Sequence, residues 1–207
     1  SFIRSAGGFR SREHGFAEAA LVADLQLGRP LGGASVEFHY PRGPFTLVPA
    51  GGNKANLVWI DDREVLRAAQ AAGKEALRAT INEKAQRLFG DIELLTPSHV
   101  FLLSSLTVPD AGKDGLVLVG EAAHAFPPIG AQGLNLGLRD VADLELSLIA
   151  ADRPAPDWAA GVSREYSARR SADLARTGGM VDTLFRSLLA DYLPAQALRA
   201  GGLWALK

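Results

Sequence analysis

The sequence has 207 residues, 47% of them apolar and 22% charged, with a formal net charge of −1. That is enough for one globular domain or one and a half, and the near-zero charge excludes an electrostatic footprint for nucleic acid. No apolar run is long enough to span a bilayer, no cysteine is present, and His14, His39, His99 and His124 lack the spacing of a helical metal pair, so no metal is expected.

The chain opens on Ser1-Phe2-Ile3-Arg4 and closes on the apolar Leu203-Trp204-Ala205-Leu206-Lys207. Free ends are usually polar and mobile, so both are expected to be cut edges of a longer chain. From Gly15 to about Asp62 the pattern predicts strands, at Ala19–Ala23, Ala34–Tyr40, Phe45–Pro49 and Asn56–Ile60, separated by Gly and Pro. Together they imply an antiparallel meander with one buried face. Two helices follow, Arg63 to Ala72 and Lys74 to Phe89, each ending at a glycine. His99 to Val108 returns as a strand. Leu116-Val117-Leu118-Val119 is a short apolar run of the kind buried on both faces. A helix is predicted from about Leu134 to Ala151. Beyond the Pro154-Ala155-Pro156 linker, Met180, Val181, Leu184, Phe185, Leu188, Leu189, Tyr192 and Leu193 recur at helical spacing until Pro194.

The chemistry concentrates in Leu116 to Asp140. An acidic residue, Glu121, stands at the carboxyl end of the predicted strand, where α/β proteins bind ligands. A stiff Pro127-Pro128 loop follows, and then Gly130, Ala131 and Gly133, small enough to let backbone approach a planar ligand. The unpaired N–H groups of the next helix favour negative charge. A plain strand–loop–helix crossover explains each feature singly but not the combination.

This stretch resembles the second flavin-binding motif of FAD-dependent aromatic hydroxylases, G-D-A-A-H, a Pro-containing loop, then G-Q-G-x-N-x-G-x-x-D. Gly120, Ala122, Ala123, His124, Pro128, Gln132, Gly133, Asn135, Gly137 and Asp140 carry the match. Pro128-Ile129 and Leu134 to Asp140 are similar to the ubiquinone-biosynthesis hydroxylases of the 2-polyprenyl-6-methoxyphenol hydroxylase type. Gly43 to Pro49, Leu57-Val58-Trp59, Leu184-Phe185 and Leu198-Arg199 resemble further segments of that family. Three departures stand out. Glu121 replaces the usual Asp, Gly130-Ala131 replaces Ala-Gly or Gly-Gly, and no G-x-G-x-x-G unit for the ADP half of the flavin is present. Ser1 and Arg4 look like the tail of the family's S-x-x-R motif.

The resemblance implies a mixed α+β and α/β fold, with a partial FAD-binding domain, an antiparallel-sheet substrate domain and C-terminal helices. The expected divisions are 1–11 for the tail of the FAD-binding segment, 12–108 for the substrate domain, 109–151 for the returning flavin segment, and 152–207 for a helical arm. It implies FAD as cofactor, with NAD(P)H and O2 as co-substrates, although this chain alone is expected to bind FAD weakly or not at all. Gly120, Glu121, Pro128, Gly130, Ala131, Gln132, Gly133, Leu134 and Asn135 are the implied flavin contacts. Pro127 and Ile129 join Pro128 as a wall beside the ring, and Phe45 and Leu47 are candidates for the substrate-facing wall. No catalytic residue is assigned. His124 is either a base or, as favoured, a loop histidine that bonds backbone. Arg139 and Asp140 are read as pairing or capping within their helix, and Glu37, His39 and Arg42 either orient substrate or form a solvated face.

The implied activity is hydroxylation of an aromatic ring, a polyprenyl-phenol of ubiquinone biosynthesis, with pathway proteins as partners. Alternatives are a small soluble aromatic substrate, or a non-catalytic lipid- or partner-binding module. A cytoplasmic setting, peripheral to a membrane surface, is expected. Self-association is also expected, through apolar surface on Leu116–Val119 and Leu134–Ile149.

Overall fold

The computed structural model describes residues 2–128, 132–152 and 155–189, with only the backbone of 182 and 184–189. In chain order the elements are α1 (Phe2–Ala6), β1 (Arg12–Leu27), β2 (Val36–Tyr40), β3 (Gly43–Pro49), β4 (Lys54–Asp62), α2 (Arg63–Ala71) and α3 (Lys74–Lys84). They continue with β5 (Ile92–Leu94), β6 (His99–Thr107), β7 (Gly112–Lys113), β8 (Leu116–Val117), a 3-10 turn (Gly120–Ala122), β9 (His124–Ala125), α4 (Gln132–Ile149) and α5 (Trp158–Leu189). Two compact units share these elements: a sheet unit over 16–103 and a helical unit over 2–15 and 104–185.

In the sheet unit the strands are antiparallel, as the Gly- and Pro-punctuated alternation predicts. β4 lies between β1, in register from Glu18↔Asp62 to Gln26↔Lys54, and β3, from Phe45↔Trp59 to Pro49↔Ala55. β2 closes a hairpin on β3 (Val36↔Leu47), and β5 pairs the end of β1 at Leu25↔Leu94. Alternation sends Leu21, Leu25, Phe45, Leu47, Leu57 and Trp59 to one face. There they meet Leu66 of α2 and Leu77 and Ile81 of α3 in one apolar core. At its margin Trp59 Nε1 donates to Asp61 Oδ2 at 3.0 Å, and Lys84 Nζ lies 3.5 Å from the same oxygen, over the Tyr40 and Trp59 rings.

The second predicted helix ends sooner than its pattern implies. It stops at Lys84, and Gln86 and Arg87 then adopt φ of 53° and 56°. The turn returns Phe89 to the core, where its carbonyl accepts Arg29 N at 2.8 Å and Gly90 lies against Gly28. A straight helix would carry Phe89 away from that contact.

In the helical unit the run Leu116–Val119 is not a strand buried on both faces. Only Leu116–Val117 is strand, paired antiparallel with β7 through the left-handed Asp114-Gly115 turn (φ 52° and 79°). Leu116 is exposed, Val117 and Val119 are half-buried and only Leu118 is buried, so the run enters the core at one residue although all four are apolar. This hairpin docks on α5. A Cβ on Gly112 would lie 2.2 Å from the Ser163 carbonyl oxygen, so only glycine permits this approach. Gly115 N donates to Ser163 Oγ at 3.1 Å, and Tyr166 OH to the Leu118 carbonyl at 2.7 Å. β9 pairs the end of β6 at Leu106↔Ala125 and Thr107↔His124.

The C-terminal part is one long helix from Trp158 to Leu189. It buries Val162, Tyr166, Arg170, Leu174, Thr177 and Val181 along one side. Gly178 packs on Phe126, and a Cβ there would sit 3.2 Å from the ring. Met180, expected on the apolar stripe, points outward, while its neighbour Val181 is buried. Residues 190–194 of that stripe, and Leu198-Arg199, lie outside the described residues.

Candidate functional site

The stretch that carries the motif folds as turn, strand, loop and helix. Gly120 takes φ of 59°, a left-handed conformation that a side chain disfavours, and opens the 3-10 turn. The turn leaves Glu121 exposed and buries Ala123 and His124. Pro127 is buried and Pro128 exposed. At the start of α4, Gln132 is half-buried while Gly133, Leu134 and Asn135 are exposed. No acidic residue occupies that first turn. Among the described residues, a Cβ at Gly120 or Gly133 would meet no atom within 4 Å. Ile129, Gly130 and Ala131 lie outside the described residues.

What holds this arrangement is one carboxylate. Asp140, fully buried on α4, accepts from Gly120 N at 2.8 Å, from His124 Nε2 at 2.7 Å and from Arg170 Nε at 2.6 Å. Burial alone would push its carboxyl up. The hydrogen bonds from His124 and Gly120, with the Arg170 guanidinium nearby, outweigh burial and hold it below the usual carboxylate range. An ionised Asp140 only accepts, so His124 Nε2 carries a proton. Its Nδ1 is buried without a hydrogen-bond partner among the described residues, as is one terminal nitrogen of Arg170. The imidazole stacks on Phe126 at 6.2 Å.

Arg170, 1% exposed, also donates from Nη1 to Asp143 at 3.0 Å and to Asp173 at 2.7 Å. Burial disfavours its charge, yet bonds to Asp173, Asp143 and Asp140 push its pKa up. Asp173 is likewise opposed by burial and held low by Arg170 and Arg139. Arg139 and Arg176 both reach Asp173, at 2.8 and 3.3 Å. Three aspartates and three arginines therefore balance around a buried centre. Burial and the Asp140 charge push the Tyr166 phenol well up, so it remains a donor. On the other flank of the turn, Arg4 Nη1 donates to the Ala122 carbonyl at 3.2 Å and pairs with Glu13.

Several expectations change. His124 bonds a carboxylate rather than backbone. Arg139 and Asp140 do not pair with each other, because Asp140 points inward and Arg139 toward α5. Phe45 and Leu47 are core residues, 0% exposed, so the outward half of β3 is Thr46 and Val48. Glu37, His39 and Arg42 form exposed pairs, Glu37 with His39 at 3.3 Å and Arg42 with Asp62 at 3.5 Å. Arg170, Asp143 and Asp173 escaped the sequence reading. Their only signal is the i, i+3 spacing of Asp140–Asp143 and Arg170–Asp173.

The exposed acceptor at Glu121 and the first turn of α4 suit an electron-rich planar ring with a hydroxylated chain, as a flavin presents. On the face of the sheet unit opposite its helices lies a depression of about 440 Å³, walled by Val22, Val58 and Pro97, with Asp24, Asn56 and His99 at its edge. Asn56 Nδ2 donates to Asp24 Oδ1 at 2.6 Å, and both residues line the depression.

Residues 8–175 match the family described as FAD binding domain. The chain is 31% identical over 208 residues to the ubiquinone hydroxylase UbiL of Rhodospirillum rubrum, covering 100% of this chain and 48% of that protein. It is 29% identical over 206 residues to the 3-demethoxyubiquinol 3-hydroxylase of Escherichia coli, covering 99% and 52%. The chain thus spans about half the length of the curated relatives it matches. Its fold is similar to p-nitrophenol 4-monooxygenase PnpA from Pseudomonas putida, with a TM-score of 0.73 and 20% identity over 98% of this chain and 51% of that one.

Proposed function

The chain belongs to the FAD binding domain family, and on that premise we propose that it is the flavin-facing and substrate-facing part of an aromatic-ring hydroxylase acting in ubiquinone biosynthesis. The observation that carries this is the left-handed turn at Gly120, fastened to Asp140, which turns Glu121 outward beside an exposed helix start. When bound, the flavin supplies the redox and oxygen chemistry, drawing on NAD(P)H and O2. Glu121 accepts hydrogen bonds from the hydroxylated chain of the cofactor. The N–H groups at Gln132–Asn135 favour negative charge at the ring edge. Pro127 and Pro128 stiffen the loop between them.

The open face of the sheet unit receives the aromatic substrate on Val22, Val58 and Val48. Asp24 at its edge repels a carboxylate and accepts from a phenol, which favours a phenolic ring over an aromatic acid. The apolar face of α4, with Leu134, Leu138, Val141 and Ile149 all more than half exposed, is the surface for self-association or for pathway partners. No described helix is long and apolar enough to cross a membrane, and a polyprenyl substrate calls for peripheral contact with one.

The test is FAD titration by flavin fluorescence on the full protein that contains this chain, followed by NAD(P)H oxidation with phenols and oxygen. Glu121→Ala is expected to weaken FAD binding by about tenfold, the loss of one charge-assisted hydrogen bond. A protein that binds no flavin would overturn the proposal.

A further inference from the structure

We propose that Arg170 is a positioning residue for the flavin-facing turn: by gripping Asp140 from α5, it sets the tautomer of His124 and the left-handed turn at Gly120. The inference rests on the flavin reading for its purpose but on geometry for its substance. Nothing in the motif itself requires α5, and Arg170 lies 30 residues beyond Asp140 in sequence.

Asp140 has two oxygens and three donors. Oδ2 takes both bonds from the motif, Gly120 N–H and His124 Nε2, and Oδ1 takes Arg170 Nε. The Arg170 bond is the one that fixes the carboxylate plane from outside the motif, and the plane decides where Oδ2 points. Arg170 in turn has no freedom, because Nη1 is held by Asp143 of α4 and Asp173 of α5. The charged groups facing His124 and Asp140 are Arg170 and Asp173 from α5 and Asp143 from α4, with Arg139 and Arg176 closing the balance at Asp173. Remove Arg170, and the buried carboxylate lacks a cation. The carboxylate is then free to turn, and His124, whose second nitrogen is buried and unpartnered among the described residues, can offer Asp140 either ring nitrogen. The imidazole is no longer held in one tautomer, and the turn at Gly120 loses its fixed anchor.

The experiment is 15N NMR of the His124 ring at neutral pH in the parent chain, in R170Q and in the double variant R170Q/D140N, with H124Q for assignment. In the parent the two ring nitrogens are expected widely separated, with the proton fixed on Nε2. In R170Q, and in the double variant, the separation narrows to that of two exchanging tautomers. FAD titration runs alongside, with binding expected at least tenfold weaker in both variants. An unchanged Nε2–H signature in a folded R170Q overturns the proposal. So does a fixed Nε2–H ring in the folded double variant, which decides the matter if R170Q alone does not fold. Loss of folding in both variants also overturns it, because the pair would then be a requirement of the fold with no separable effect on the turn. The FAD titrations use the full protein that contains this chain; if its parent form binds no flavin, the functional proposal fails, while the ring spectra still decide this one.

Discussion

The two units are held together by opposite means. The sheet unit packs Leu21, Leu25, Phe45, Leu47, Leu57 and Trp59 against two helices, with its polar contacts at the margin around Asp61 and Lys84. The helical unit has a smaller apolar cluster, built on Phe9, Val108, Ala111, Leu118, Ala123 and Tyr166. Beside that cluster it buries Arg170, Asp140, His124 and Thr177. Apolar packing is forgiving because each methylene adds its own increment. A buried ion network is not, because each member is tolerable only while its partners remain. The lesson is that the unit carrying the motif has traded tolerance for a fixed geometry around one turn.

The sharpest way to break that contrast is paired substitution, read by denaturant unfolding. Trp59→Ala should cost the sheet unit about 3–5 kcal/mol through lost burial and a cavity. Arg170→Leu should cost the helical unit about as much, by stranding Asp140. The difference lies in repair. Adding Asp140→Asn to Arg170→Leu should recover part of the loss, because the stranded charge is gone while an acceptor for Gly120 N and His124 Nε2 remains, whereas no second change near Trp59 refills its volume. If the double variant is no more stable than Arg170→Leu, the network is not the source of the effect.

Acid should separate the units next. Asp140 and Asp173 have folded-state pKa values lowered from 3.8, so their contribution is present above the ordinary carboxylate pKa and lost as pH falls through the lower folded values. Hydrogen exchange followed from pH 6 downward should show the helical unit losing protection below about pH 4, ahead of the sheet unit. Simultaneous loss would place the acid-sensitive groups elsewhere.

A smaller effect is expected at Gly112. Gly112→Ala places a methyl against the Ser163 carbonyl, so the hairpin must shift from α5, at a cost of about 1–3 kcal/mol. Thermal melting of the helical unit should report it. Smallest of all, Arg164→Ala removes an exposed 3.7 Å pair with Asp157 and should leave the melting temperature within error.

The sheet unit was largely legible in the sequence. Phe45–Pro49 and Asn56–Ile60 sit within β3 and β4, and Ala34–Tyr40 overruns β2 by two residues at its start, because a strand with one buried face writes its period directly. What alternation could not say was which half faces inward, and Phe45 and Leu47 turned out to be core. The helix ending at Lys84 was missed because its stop is tertiary, a turn at Gln86–Arg87 that serves Phe89 and Gly28. In the site, Gly120 opens a left-handed turn, Glu121 is exposed, and α4 begins at Gln132, two residues before the helix the pattern predicts. Arg170 was illegible for a simpler reason: an arginine amid small and polar helix residues looks like solvent-facing surface until the opposite aspartates are in place.

The shared carboxylate has a consequence for descent. Positions 140 and 170 cannot drift one at a time, since a change at 140 strips Gly120 N and His124 Nε2 of their acceptor, and a change at 170 strips three aspartates of their shared cation. A lineage that alters one must already hold a compensating change at the other, or pass through a less stable ancestor. Side chains on the open face of the sheet unit carry no such bond. That face is therefore free to diverge by single steps, while the turn at Gly120 is inherited whole.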